Sequence, residues 1–140
     1  MDILPKVDAL LVVRTDFSDR ERWQAVRDSL GDIDKDGWAK EFSDHVKVVE
    51  GPAYQGLTSQ QLLTLLPDGY GDPLLVIADK VTIDSQEMPF LVIELASEWE
   101  MRVISSELPS IHANLSIGNM DFGEFAENAD ADGVFRGFHS

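Results

Sequence analysis

Five consecutive apolar residues, Leu74-Leu75-Val76-Ile77-Ala78, lie between Pro73 and Asp79. A strand half-open to water alternates apolar and polar residues, because successive side chains point to opposite faces. An unbroken run of this length therefore predicts a strand covered on both faces, the signature of the interior of an α/β sheet. The runs DALLVVR (8–14) and FLVIEL (90–95) read the same way.

The segments between the runs carry helix punctuation. In RTDFSDRERWQAVRDSLG, Ser18 and Glu21 have capping-box spacing, and Trp23, Val26 and Leu30 recur at helical intervals before Gly31. The strand HVKVVEG follows. GLTSQQLLTLLPDGYGDP reads as a second helix, with Thr58 and Gln61 as its box, an apolar face of Leu62, Leu63, Leu65 and Leu66, and Pro67 as its stop. ASEWE turns FLVIEL back into MRVIS as an antiparallel pair. Ser106 is placed to cap a third helix ending at Gly118, and MDFGEFAENA forms a short fourth. The apolar tail GVFRGF docks on the body. The expectation is an α/β fold: a single domain over 1–140, in the order β-α-β-α-β-β-β-α-α, with a mixed sheet of about five strands and helices covering its faces. The first strands are expected to run parallel.

Charge constrains the partners. The chain has 26 acids against 11 bases, a net −15, and residues 81–140 carry eleven acids but only Arg102 and Arg136 as bases. Such a surface repels phosphate backbones and anionic membranes, and attracts a basic protein. No nucleic acid, no membrane and a basic protein partner are the corresponding expectations. The absence of cysteine removes disulfides, thiol nucleophiles and thiolate zinc sites. MDILPKVDALLVV lacks the basic start of a signal peptide, and no apolar run approaches the ~20 residues that cross a bilayer. A cytoplasmic location follows as the expectation.

The motif DIDKDG (32–37) opens like a calcium loop, with Asp32, Asp34 and Asp36 at the first, third and fifth positions and Gly37 at the sixth. The twelfth position, which needs a bidentate glutamate, is Ser43, and the eighth is Ala39 rather than a branched aliphatic. NADADG repeats the pattern at Asn128, Asp130, Asp132 and Gly133, with His139 at the twelfth position and no room for an exit helix before Ser140. Both read as solvated acidic turns. No cofactor is expected, and Asp32, Asp34 and Asp36 are at most a weak calcium site. His45, His112 and His139 lack a second histidine at metal spacing, and nothing in the sequence aligns an acid and a histidine behind a serine.

Two groups of residues stand out for binding. RTDFSD ends the first strand where an α/β sheet commonly holds ligands, so Arg14, Asp16 and Asp19 are candidates; as structure, Asp16 or Ser18 caps the helix and Arg14 is its salt-bridge partner. The closing segment combines Asn114, Asn119, Asp121 and Arg136 with Phe122, Phe125, Phe135 and Phe138. An arginine isolated among acids pairs with one of them, Asp121 or Asp132.

LVVRTDFSD with Trp23, GPAYQGLTSQQLL, LVIELASE and SELPSIHANLSIGNMDFGEFAENADADGVFRGF together resemble an uncharacterised family of small bacterial proteins, common in actinobacteria, that carries a domain-of-unknown-function label. The resemblance implies a one-domain fold from about Leu11 to Phe138 and no assigned site. Negative charge without a catalytic constellation points to a non-enzymatic protein-binding module, such as an immunity protein or antitoxin. The competing expectation is a small enzyme or ligand sensor working through the turn at Arg14 to Asp19.

Overall fold

The computed structural model describes residues 3–4, 9–31, 46–118 and 120–137. Six strands form one mixed sheet in the order β2-β1-β3-β4-β5-β6. They are β1 (Leu10–Arg14), β2 (Val46–Val49), β3 (Leu74–Ala78), β4 (Phe90–Glu94), β5 (Glu100–Val103) and β6 (Val134–Phe135). The helices are α1 (Arg20–Gly31), α2 (Ser59–Leu63), α3 (Lys80–Asp84), α4 (Leu108–Ser116) and α5 (Phe122–Ala126). β1 runs parallel to both β2 and β3, whereas β3, β4 and β5 are antiparallel neighbours.

All five residues of β1 and all five of β3 are buried, as their apolar runs require. The two-residue alternation divides them between two cores. Leu10, Val12, Leu74, Val76 and Ala78 meet Trp23, Val26 and Leu30 of α1 together with Ile83, Ile111, Phe122 and Phe125. Leu11, Val13, Leu75 and Ile77 meet Leu4, Tyr54, Leu62 and Leu65 on the other face. A slip of one residue in either strand would exchange the two sets, so register and core are mutually determined.

Five local features depart from the expected ones. Asp19, not Ser18, caps α1: its Oδ1 accepts from Arg22 N at 3.0 Å, while Ser18 Oγ donates to Asp16 Oδ2 at 2.7 Å. Ser106 caps nothing, because Ser105–Glu107 is a 3-10 turn and α4 starts at Leu108 with Pro109 in its first turn. α2 ends at Leu63, so Leu65 and Leu66 pack from the turn after it. Two elements are additional, α3 and β6. α3 is capped by Asp79, whose Oδ1 accepts from Thr82 N at 3.3 Å, while Asp79 N donates to Thr82 Oγ1 at 3.2 Å. This Asp/Thr pair is a capping box without the usual Glu or Gln. β6 adds the tail to the sheet parallel to β5, making six strands where about five are expected. The Thr58/Gln61 box of α2 forms as expected.

One side chain ties the open lower ends of β1 and β3. Tyr70 Oη accepts from Leu11 N at 3.0 Å and donates to Leu74 O at 2.9 Å. Burial pushes its phenol pKa well above the ordinary value, keeping the donor neutral and protonated. Tyr70→Phe leaves a backbone donor and a backbone acceptor without their partner. We expect a loss of about 1–3 kcal/mol in urea unfolding, with the slope of free energy against urea unchanged.

Candidate functional site

The first candidate lies at the carboxyl end of β1. The chain leaves β1 through α1 to reach β2 on one side, and β3 lies on the other, so this is the point where strand order reverses. Arg14, the last residue of β1, is only 8% exposed. Its expected salt bridge to the Asp16 carboxylate does not form. Arg14 Nε instead donates to the Asp16 main-chain oxygen at 3.1 Å. The guanidinium carbon sits 4.1 Å from the Phe17 ring centroid and 4.9 Å from that of Trp23. Burial lowers the Arg14 pKa from its ordinary value, opposed by the nearby Glu50 and Asp16 charges. Asp19 is committed to the α1 cap.

A second ionic centre binds the sheet to α3. Arg102 on β5 donates to both Asp79 oxygens, Nη1 to Oδ1 at 2.7 Å and Nη2 to Oδ2 at 2.8 Å. The same carboxylate caps α3, so one side chain fastens a helix start to a strand two positions away in the sheet. Burial alone would raise the Asp79 pKa, but the Arg102 and Thr82 hydrogen bonds overcome it and hold the carboxyl below its ordinary value. Arg22 closes the other end of α3, with Nε and Nη2 donating to Ile83 O at 2.9 Å and Ser85 O at 2.6 Å.

The third centre is the tail. Arg136 Nε and Nη2 engage Glu87 at 2.7 and 2.9 Å, and its Nη1 and Nη2 reach Asp130 and Asp132 at 2.7 Å each. Of the two expected partners Asp132 is the one it takes. Asp121 heads α5, where its N–H donates to Glu124 Oε2 at 3.3 Å. Asp130 and Asp132, two acids of the second calcium-like motif, thus both face a guanidinium. Phe135 packs edge-on against Phe125, with ring centroids 5.4 Å apart. Asn114 Nδ2 donates to Ser110 O within α4 at 2.8 Å, while Arg136 finds its acids elsewhere. Asn119, His45, His139, Phe138 and the loop bearing Asp32, Asp34 and Asp36 lie outside the described residues.

Residues 40 apart in sequence form a contact that no local pattern announces. His112 Nε2 lies 2.7 Å from Asp72 Oδ2, both side chains largely buried, and Asp72 Oδ1 accepts from Leu74 N at 3.0 Å. An acid does therefore stand behind a histidine here. The pair fastens α4 to the turn entering β3, at the opposite end of the strand from Ala78 and the Arg14 turn. Among the described residues, no group of three His, Cys, Asp or Glu is arranged to hold a metal ion. No helix among them is long and apolar enough to cross a membrane.

Two measurements probe these centres. Because the folded Asp79 pKa is depressed, its stabilisation is complete above the ordinary value of 3.8 and is lost as pH falls through the lower, folded value. Asp79→Asn keeps a competent helix cap but removes the ion pair. It should cost about 1–3 kcal/mol at neutral pH and flatten the acid limb of the stability–pH curve. Arg136→Ala leaves Glu87, Asp130 and Asp132 repelling one another. We expect its melting temperature to fall by a few degrees, less so at high salt, and removal of 133–140 to be worse because Phe125 loses its cover.

No curated protein matches the chain in sequence. Among solved structures, a prolyl-tRNA synthetase from Cryptosporidium parvum, crystallised with halofuginone and AMPPNP, aligns at a TM-score of 0.55 and 14% sequence identity. The alignment covers 84% of this chain and 23% of that one. At that identity the likeness is one of fold alone. The family model "Domain of unknown function (DUF6924)" matches residues 9–138, which take in all six described strands and all five described helices, and the chain belongs to that family.

Proposed function

We propose that this chain is a non-enzymatic acidic module that binds a basic protein through the tip of the β4–β5 hairpin. The observation that carries this reading is Trp99. It is 60% exposed, between the exposed carboxylates Glu98 and Glu100, and its ring edge lies over Gly123 of α5. A large aromatic left open and rimmed by acids suits a lysine or arginine of the partner, which can stack on the indole while pairing with a carboxylate.

The arrangement of charge supports the same reading. Arg22, Arg27, Arg102 and Arg136 are all held by partners within the protein, at carbonyls or carboxylates. The −15 surplus is therefore borne by acids, and it favours encounter with a cationic protein. Glu98 also holds the left-handed backbone, with φ of 60°, a conformation a glycine would adopt with less strain. An immunity protein or antitoxin facing a basic toxin is one form of such a module, acting in the cytoplasm without a cofactor and without touching nucleic acid or membrane. A second reading, a ligand sensor or small enzyme working at the β1–α1 turn, draws its support from the buried Arg14. A toxin gene beside this one favours the first reading; a metabolic operon favours the second.

The test is a pull-down at low salt with wild type and Trp99→Ala in parallel. The isolated variant should stay folded and lose no more than about 2 kcal/mol of stability, because most of the ring is exposed and only its edge packs on α5. We expect a protein of net positive charge to be retained by wild type, bound at least about tenfold more weakly by Trp99→Ala, and slower to associate as salt rises. A partner that Trp99→Ala holds equally well, or whose association rate ignores salt, overturns the proposal.

A further inference from the structure

Three polar side chains are buried among the described residues: Arg14, Thr15 and Thr82. Thr82 is fully engaged, its hydroxyl donating to Pro89 O at 2.8 Å and its N–H to Asp79. Strand alternation places Thr15 with Leu11 and Val13 on the α2 face, and Arg14 with Leu10 and Val12 on the α1 face. Arg14 is the charged one, and among the described residues it makes a single hydrogen bond, from Nε. The two described acids whose charges act on it are turned to other groups. The Asp16 carboxylate accepts from Ser18, and Glu50 holds Arg27 Nη1 at 2.9 Å. Among the described residues no acceptor reaches Nη1 or Nη2 of Arg14, yet no fully buried side-chain nitrogen or oxygen lacks a partner. The open end of the guanidinium therefore reaches the surface of the β1–α1 turn. Two donors of a largely buried cation are thus held open at the surface, where a ligand can take the place of water.

We propose that Arg14, stacked against Phe17 and Trp23 at the carboxyl end of β1, recognises the carboxylate of a small, singly charged organic acid. With Nε bound to the Asp16 carbonyl, Nη1 and Nη2 present two parallel N–H donors, the spacing that matches two carboxylate oxygens. The location is the strand-order reversal where open α/β sheets receive ligands. The half-buried Phe17 gives the carbon body of the acid an apolar surface. A single charge suits the site better than a phosphate dianion, because Asp16 and Glu50 lie close enough to act on the same guanidinium and the whole protein carries −15. This site is independent of the Trp99 surface, and either proposal stands if the other fails.

The experiment is a titration of the isotope-labelled full chain with benzoate and, separately, with inorganic phosphate. The signals followed are the Trp23 indole N–H and the Arg14 Nε–H. Benzoate should shift both saturably, in the millimolar range, and phosphate should bind more weakly. Arg14→Lys keeps the charge but loses the fork, and should weaken benzoate at least about tenfold. Asp16→Asn leaves the main-chain carbonyl that holds Nε in place and removes a repelling charge; it should tighten benzoate by about two- to threefold. Non-saturating shifts, tighter binding of phosphate, or unchanged affinity in a folded Arg14→Lys overturn the proposal. If Arg14→Lys does not fold, Asp16→Asn decides, and an affinity that stays the same or falls overturns it.

Discussion

Two-sided burial of the β1–β3 pair is the constraint from which the rest of this structure follows. Neither strand shows a residue to water, so each face needs its own cover. α1, α3, α4 and α5 supply one layer, and α2 with Leu4 and Tyr54 supplies the other. A parallel pair cannot be joined by a tight turn, so the chain must cross over between β1, β2 and β3. Those crossovers bring the turns after β1 and β3 to one end of the sheet. Arg14 and Asp79 stand at that end because they are the first polar-capable positions beyond an apolar run that had to be buried.

The ionic groups act as fasteners between elements that hydrophobic contact alone leaves loosely registered. Asp79–Arg102 joins a helix start to β5, Arg22 closes the far end of the same helix, and Arg136 holds the tail to Glu87 in the loop before β4. In a chain with 11 bases against 26 acids, these arginines are taken up by contacts within the protein. Trp99 gains its meaning in that setting, since an open indole among carboxylates is a poor neighbour for water and a good one for a cation. Arg14 differs in kind from these fasteners, because its neighbours hold its faces and one edge and leave the fork open.

Most of the fold was legible in local pattern. The apolar runs named β1, β3 and β4, the helical recurrence of Trp23, Val26 and Leu30 named α1, and Thr58 with Gln61 named the start of α2. Misreadings gathered where several residues competed for one role. Ser18 and Asp19 both suit a helix start, and the choice went to Asp19 because Ser18 hydrogen-bonds Asp16. α3 escaped notice because five residues hold barely more than one turn and its box is Asp/Thr. β6 escaped because two residues show no period. Of the candidate site residues, Arg14 and Arg136 were visible as arginines out of place, one at the end of an apolar strand and one among acids.

The sequence by itself determined the layer architecture, the central strands and the sign of the surface, since these depend on apolar period and net charge, which are properties of adjacent residues and of totals. Only the tertiary structure decided which charges meet. Asp72 and His112 are 40 residues apart, Glu87 and Arg136 are 49 apart, and Asp79 and Arg102 are 23 apart. With so many acids available to so few bases, each pairing was one of many of nearly equal local merit. Folding selected among them by where the sheet register and the helix layers placed each side chain, and so by distances that no stretch of neighbouring residues contains.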